Sequence, residues 1–427
     1  MPLTILGKDD TTSLIESLTP LEIHELRMVL SAALHEFSVN PRAGGHGTYQ
    51  QPRTTTIRHE QSEWPSALNT ACGPEGTACK GARLTSSSSV STHQHGSLSL
   101  YNTQGELEAI LSTYPLTPFI TALSSVCLLS KRSRPIHTLV VFGAGQQAYY
   151  HIRLALKVHG HAIKKVHVVN HRFSDTAANF LRNFSTIPRT IKHEEGWEHA
   201  EFGMLTPAFH DYHRLLTEQV LEADVIYLCT PSQEPLFPGD ILTSHEGRRK
   251  GRFIIAVGST NPHQREIPAE LVAQAVKVHE KPHRHFHKHA DEGGVVIVDS
   301  LEGGIKHAGE IVHGGVKPSQ LVELGELVML QRMAESDAES TRSQSTDETS
   351  LASANSQATS SSSKTNLFSL PHRKKSNHDE RESALARWLG TGTVVYKSVG
   401  LPMMDLVVAN LLVKLADGKA VGTKAAF

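Results

Sequence analysis

The chain has 427 residues, with 42 Lys and Arg against 43 Asp and Glu and a hydrophobic content of 39%. That length accommodates two or more domains of the usual ~100–200 residues, and the neutral balance offers no electrostatic case for nucleic acid or an anionic membrane surface. No apolar run approaches the ~20 residues that span a bilayer, the first residues lack a signal-peptide pattern, and the four cysteines form no C-x-x-C pair, so a reduced, cytoplasmic protein without membrane or nucleic-acid partners is expected.

In chain order, residues 1–40 read as two helices, the first opening on the cap-type residues DDTT. From about 50 to 110 the pattern changes to short strands and turns, TTTIRHE, CKGARLT and GSLSLYNTQGELEAILS. The last is a hairpin with its turn at Asn102–Gly105. Residues 116–130 then form an apolar helix. Beyond them, apolar β-type runs at 138–142, 165–170, 223–230, 252–259 and 294–300 alternate with helical ones. Continuous apolar strands separated by helices indicate an α/β fold with a parallel sheet covered on both faces. Residues 185–217 and 279–293 read as insertions. In the second of these, His283, His285, His287 and His289 lie in a charged loop without a carboxylate or thiolate partner at ligand spacing, and no metal site is expected. From 334 to 382 the composition turns to Ser, Thr, Glu, Asp, Gln and Asn, too polar to offset the entropy of folding, so disorder is expected. TGTVVYKSVGLPMMDLVVANLLVKLA then returns to a strand, a turn and an apolar helix, which makes the polar segment an insertion within folded material.

The stretch HTLVVFGAGQQAYYHIRLAL carries the first chemistry. Gly143-Ala144-Gly145-Gln146-Gln147-Ala148 fits G-x-G-x-x-A between a strand and a helix. Gly143 permits the tight turn, Gly145 lets the backbone approach a pyrophosphate, Ala148 permits close helix–strand packing, and the helix N-terminus supplies amide donors. At the end of the next strand, where NAD sites place an acidic residue for the ribose 2′-hydroxyl, stand Asn170, His171 and Arg172. Arg172 suits a 2′-phosphate and His171 an adenine face, which favours NADP while leaving NAD possible. Asp175 reaches the ribose only if the strand ends later than read here.

Several segments in order resemble the ornithine cyclodeaminase/mu-crystallin family: QPRTTTIRHE, ACKGARL, GELEAILSTYPLTPFITALSS, the glycine loop, EADVIYLCTPSQEPLF, IIAVGSTNPHQREIPAEL, VVIVDS, AGE and VVYKSVGLPMMDLVVANLL. The resemblance implies a Rossmann domain, placed at 124–332, and an α+β substrate and dimerisation domain built from both chain ends, placed at 1–123 and 391–427, with 333–390 a largely disordered insertion. It implies a homodimer, a nicotinamide cofactor and a small amino or imino acid substrate. On the family's motifs, Arg53 and Lys80 are expected to hold the substrate carboxylate by charge-assisted hydrogen bonds. Thr121, Thr230, Pro231, Gly258, Ser259, Thr260 and Ser398 are expected around the cofactor, and Glu310 matches a recurrent glutamate.

Two departures narrow the expectation. Ile120 stands where the family has an arginine before Thr121, so the anion is held differently, the substrate differs, or activity is reduced. Thr260 stands where cyclodeaminases carry the proton-handling aspartate, and a hydroxyl is no general base near neutral pH. Ornithine cyclodeamination is therefore not expected. The chemistry that remains is reduction of a C=N bond in a small imino acid by NADPH; the alternatives are an amino-acid dehydrogenase or an NADP-binding dimer with reduced turnover. Asp405 reads as a helix cap.

Overall fold

The computed structural model describes residues 2–39, 53–57, 66–72, 80–86, 95–259, 261–277, 293–327 and 385–426. The chain enters as β1 (Leu3–Leu6), then forms α1 (Lys8–Glu16) and α2 (Pro20–Val39). Strands β2 (Arg53–Ile57), β3 (Ser66–Cys72), β4 (Lys80–Ser86), β5 (His95–Tyr101) and β6 (Leu107–Ser112) precede α3 (Thr113–Leu129). The alternating part follows as β7 (Thr138–Phe142), α4 (Gln146–His159), β8 (Lys165–Val169) and α5 (Asp175–Ser185). It continues through β9 (Glu201–Leu205), β10 (Val225–Leu228), β11 (Phe253–Ala256), β12 (Val295–Val298), β13 (Leu321–Glu323) and β14 (Val394–Lys397). The C-terminal helix Pro402–Lys419 and β15 (Thr423–Ala425) close the chain.

Eight strands form a parallel sheet in the order β13-β12-β14-β11-β10-β7-β8-β9. TLVVF, VIYL, FIIA and VVIV are buried at every position because helices cover both faces, so no residue along them faces water. α4 lies on one face through Ala148, Ile152, Ala155 and Leu156, an i, i+4, i+7, i+8 stripe that is fully buried. At roughly 1.5–3 kcal/mol for each large side chain, such a stripe anchors the helix. Within the α3–α4 interface His151 Nε2 lies 3.1 Å from Ser125 Oγ, and burial pushes its imidazole down to about 4, so it is neutral packing.

The second sheet has the order β15-β1-β6-β5-β4-β3-β2 and is antiparallel except for the β1–β6 pair. The first and last strands pair through Leu3 to Ala425, so both chain ends build this layer, as expected. The hairpin turn also stands where it was read, with Gly105 at φ 85° and its N–H donated to Asn102 O at 3.1 Å.

Four expectations need correction. Val394–Lys397 was assigned with the C-terminal segment to the second domain, but β14 lies between β12 and β11 in the parallel sheet. Its VVYK run is buried throughout, because its place inside the parallel sheet covers it on both faces. The boundary at 123/124 falls inside the continuous helix α3. The supposed insertion at 185–217 contributes β9, which pairs with β8 as the edge strand. The polar segment was extended to 390, yet residues 385–391 are helical and bury Trp388 and Leu389. The rest of that segment and the histidine run lie outside the described residues. Among the described residues, no helix is long and apolar enough to cross a membrane.

A buried ion cluster ties the layers together. Arg153 of α4 donates through Nη1 and Nη2 to Glu195 at 2.6 and 2.8 Å, and through Nε to Glu16 of α1 at 3.2 Å. Trp197 Nε1 donates to Glu195 Oε2 at 2.6 Å. Burial acts to raise the Glu195 carboxyl, but Arg153 and Trp197 hold it below the usual carboxylate range. Removing one partner strands a buried guanidinium. Glu195→Ala is therefore expected to lower the unfolding free energy by about 3 kcal/mol, measured by urea titration, and a loss under about 1 kcal/mol would show the pair to be dispensable.

Candidate functional site

The glycine turn follows β7 at the C-terminal edge of the parallel sheet. Gly143 has φ 102°, a region costly for residues with a Cβ, and its N–H donates to Val169 O at 2.9 Å. A Cβ there would lie 3.0 Å from Cys229 O and 3.1 Å from Thr230 Cγ2, so the turn is packed against the loop after β10. Gly145 differs: it precedes the first residue of α4, and a Cβ on it would meet no protein atom within 4 Å. This open space lies on the wall of a cleft of about 510 Å³, lined by Gly143 to Gln147 and by the first turns of α3. A bare backbone beside such space, together with the free amides of α4, suits a pyrophosphate.

Asn170, His171 and Arg172 line the same cleft. Asn170 N–H donates to Leu205 O at 3.0 Å and its side-chain amide donates to Arg172 O at 2.8 Å, which fixes the turn. His171 and Arg172 are exposed, and the Arg172 guanidinium has no hydrogen bond or ion pair among the described residues. β8 ends one residue before the predicted end, and Asp175 starts α5 as an exposed residue outside the lining. The residues present fit a dinucleotide, and the Asn170–Arg172 end of the cleft carries a cationic rim.

On the other side of the turn, buried side chains lace together four strand tips. Glu266 accepts the N–H of Thr230, after β10, at 2.7 Å and those of Gly258 and Ser259, after β11, at 2.8 and 3.2 Å. Gly258 is obligatory because a Cβ would fall 2.2 Å from Thr230 N and O. Lys397 at the end of β14 donates to Ser259 O and Oγ at 2.6 and 2.5 Å. Ser259 Oγ donates to Glu310 at 2.6 Å, and Glu310 Oε2 lies 3.7 Å from Lys397 Nζ. Asp299, after β12, accepts from Ser398 Oγ at 3.0 Å and from the N–H groups of Val399 and Gly400 at 2.9 and 2.6 Å. Burial raises both the Asp299 and Glu266 carboxyls, the latter to about 7 despite Lys397 and the donated amides.

The expected cofactor residues thus fall into two groups. Gly143 to Gln147, Asn170 to Arg172, Thr230 and Pro231 line one cleft. Ala148 is buried beneath it, Thr121 is half-buried one turn along α3 from Thr117, and Gly258, Ser259 and Ser398 belong to the scaffold under the strand tips. Thr260 lies outside the described residues. Arg53 opens β2 and Lys80 opens β4, both in register with β3, opposite Thr70 and Cys72. Ile120 is buried in the core and does not line the cleft. Asp405 is no cap: it sits inside the C-terminal helix and pairs with Arg83 Nη1 at 2.8 Å. Glu266 and Arg83 escaped the sequence reading, since a Glu in a loop and an Arg in a strand carry no spacing signal.

No family model matches the chain. It is 26% identical over 249 residues to an uncharacterised protein of Saccharomyces cerevisiae, covering 53% of this chain and 61% of that protein. To the ketimine reductase mu-crystallin of Mus musculus it is 26% identical over 245 residues, covering 57% and 61%. The chain thus spans 61% of the length of these relatives. Among solved structures, Thermococcus litoralis Δ1-pyrroline-2-carboxylate reductase superposes with a TM-score of 0.64 at 17% identity, covering 98% of this chain and 99% of that one. The probable ornithine cyclodeaminase of Bordetella pertussis gives 0.61 at 19%, with 99% of each covered. In sequence and over the whole of its fold, the chain resembles the ornithine cyclodeaminase/mu-crystallin family.

Two outcomes are expected. Gly145→Ala should unfold at the wild-type temperature, because its Cβ has room, yet bind dinucleotide at least about tenfold more weakly by fluorescence titration, because that room is the cofactor's; unchanged affinity would place the pyrophosphate elsewhere. The Glu266 carboxyl is raised from 4.5 to about 7, so its contribution to stability is complete below the lower value and is lost as pH rises through the upper one. Urea titrations should therefore show wild type losing stability relative to Glu266→Gln across that window, and a constant difference would refute the raised carboxyl.

Proposed function

We propose that the protein is an NAD(P)-dependent oxidoreductase that reduces the C=N bond of a small imino acid, with NADPH favoured over NADH. The observation that carries this reading is the cleft itself: a bare glycine cradle, Arg172 without an ion-pair partner among the described residues, and the β10 tip, held by Glu266, on its wall. Support comes from the names of similar proteins, which include a pyrroline-2-carboxylate reductase, an iminosuccinate reductase and a ketimine reductase.

When bound, a reduced nicotinamide supplies hydride to the C=N carbon. Gly143 to Ala148 hold the pyrophosphate by backbone amides, and Arg172 takes the 2′-phosphate with His171 beside the adenine. Thr230 and Pro231 wall the cofactor where the β10 tip meets the glycine turn. Arg53 and Lys80 hold the substrate, Lys80 orienting its carboxylate or supplying a proton to nitrogen. A protonated imine already accepts hydride, so orientation is the protein's main task and no general base at Thr260 is required. The protein is proposed to act as a cytoplasmic homodimer. Burial of Ile120 keeps open a second reading, an NADP-binding protein of reduced turnover.

The test is NADPH oxidation against a panel of cyclic ketimines and of 2-oxo acids with amines. Turnover of a carboxylated imine is expected; dinucleotide binding without turnover would favour the second reading, and ornithine-dependent ammonia release would overturn the reductase assignment. Arg172→Asp should reverse the preference toward NADH by about tenfold or more. Unchanged preference would remove Arg172 from the cofactor site.

A further inference from the structure

The cleft holds a cation on the side facing the glycine turn that no motif announced. Arg83 of β4 lines it together with Thr113, Tyr114 and Thr117 of α3. Its Nη1 donates to Asp405 Oδ2 at 2.8 Å, with side chains only 16% and 8% exposed. Nη2 has no hydrogen bond among the described residues, and Nε is buried without a partner. Gly81, two residues earlier, brings β4 against the C-terminal helix: a Cβ there would stand 3.1 Å from Leu406 Cδ1. That approach places Asp405 within reach of Arg83.

A guanidinium presents its donors as a planar fork, and one taken largely out of water with most of its donors unmade is costly unless an acceptor completes them. Asp405 occupies one arm and neutralises part of the charge. Nη2, the arm that remains, is left to donate to a carboxylate in the cleft, while Nε is buried behind it. Ile120, where the resemblance leads one to expect an arginine, is meanwhile sealed in the core at 2% exposure.

We infer that Arg83, positioned by Asp405, binds the carboxylate of the small imino acid and so sets the preference for carboxylated over plain imines. Lys80 is left the second of the two roles proposed for it, the proton to nitrogen. The inference rests on the reductase reading for its substrate but not for its anion site. The experiment compares wild type with Arg83→Leu, Arg83→Lys and Asp405→Asn on 1-pyrroline-2-carboxylate and on 1-pyrroline, which lacks the carboxylate. For Arg83→Leu, KM for the carboxylated imine should rise roughly 10- to 100-fold with kcat little changed, while 1-pyrroline is turned over as by wild type. Arg83→Lys should recover part of the loss, and Asp405→Asn should show a smaller one. Equal falls on both imines, or weakened NADPH binding in Arg83→Leu, would overturn the inference. Independently of turnover, pyrrole-2-carboxylate is titrated into the NADPH complex and followed by thermal shift. Binding that disappears in Arg83→Leu supports the anion site even if no imine is reduced, in which case only the reductase reading falls. Binding unchanged by the substitution, or absent in wild type, overturns it.

Discussion

A parallel sheet delivers the N–H groups of several separate loops to one edge, and the fold depends on where those N–H groups go. Here they meet buried carboxylates. Glu266 takes the donors after β10 and β11, and Asp299 takes those after β12 and β14, while Lys397 joins the middle pair through Ser259. The opposite edge is tied with the complementary chemistry. Arg252 and Arg132 donate there to the backbone carbonyls of Gly247, Leu221 and Gly392. Several backbone groups at each edge are therefore met by side chains of the sign they demand, which favours burial of four apolar strands on both faces.

The lacing has a consequence for the cleft. Because Glu266 and Lys397 are engaged with backbone and with Ser259, they hold the strand tips in place and neither lines the cleft. The charges offered to a ligand must come from elsewhere, from Arg172 at the end of β8 and from the seven-stranded layer opposite. That layer is closed by pairing β1 with β15, so the C-terminal helix is fixed against β4. Asp405 of that helix thus faces Arg83 across a sequence separation of 322 residues.

This separation explains what could be read beforehand. TLVVF and the glycine turn were legible because a buried strand, a tight turn and an amphipathic helix each write their requirement into adjacent residues. β9 was not: EFGML is mostly half-exposed at a sheet edge, and its pairing with β8 is decided by an open row of donors and acceptors, not by its own composition. β14 read correctly as a strand but in the wrong layer, since nothing local in VVYK tells one sheet from another. Glu266 lies 36 residues beyond the Thr230 amide it accepts, and only the crossover between β10 and β11 brings them together. Asp405 was legible as a polar residue in an apolar helix, but its partner was not.

The cofactor end follows from a balance that local sequence does state. Asn170 spends its side-chain amide on Arg172 O, so the turn is rigid, but this leaves the ribose 2′-hydroxyl without the carboxylate acceptor typical of NAD sites. On the proposed reading, a 2′-phosphate would meet an exposed guanidinium that breaks no ion pair among the described residues to bind it. Exposure also limits the gain: solvent and salt screen the pair, which leaves a contribution nearer 1.5 than 3 kcal/mol, about a tenfold preference. Strong discrimination between dinucleotides requires a repulsive element as well, such as an acid that rejects the phosphate. Among the described residues no Asp or Glu lines this cleft, so the NADP preference proposed above is a modest one that still admits NAD.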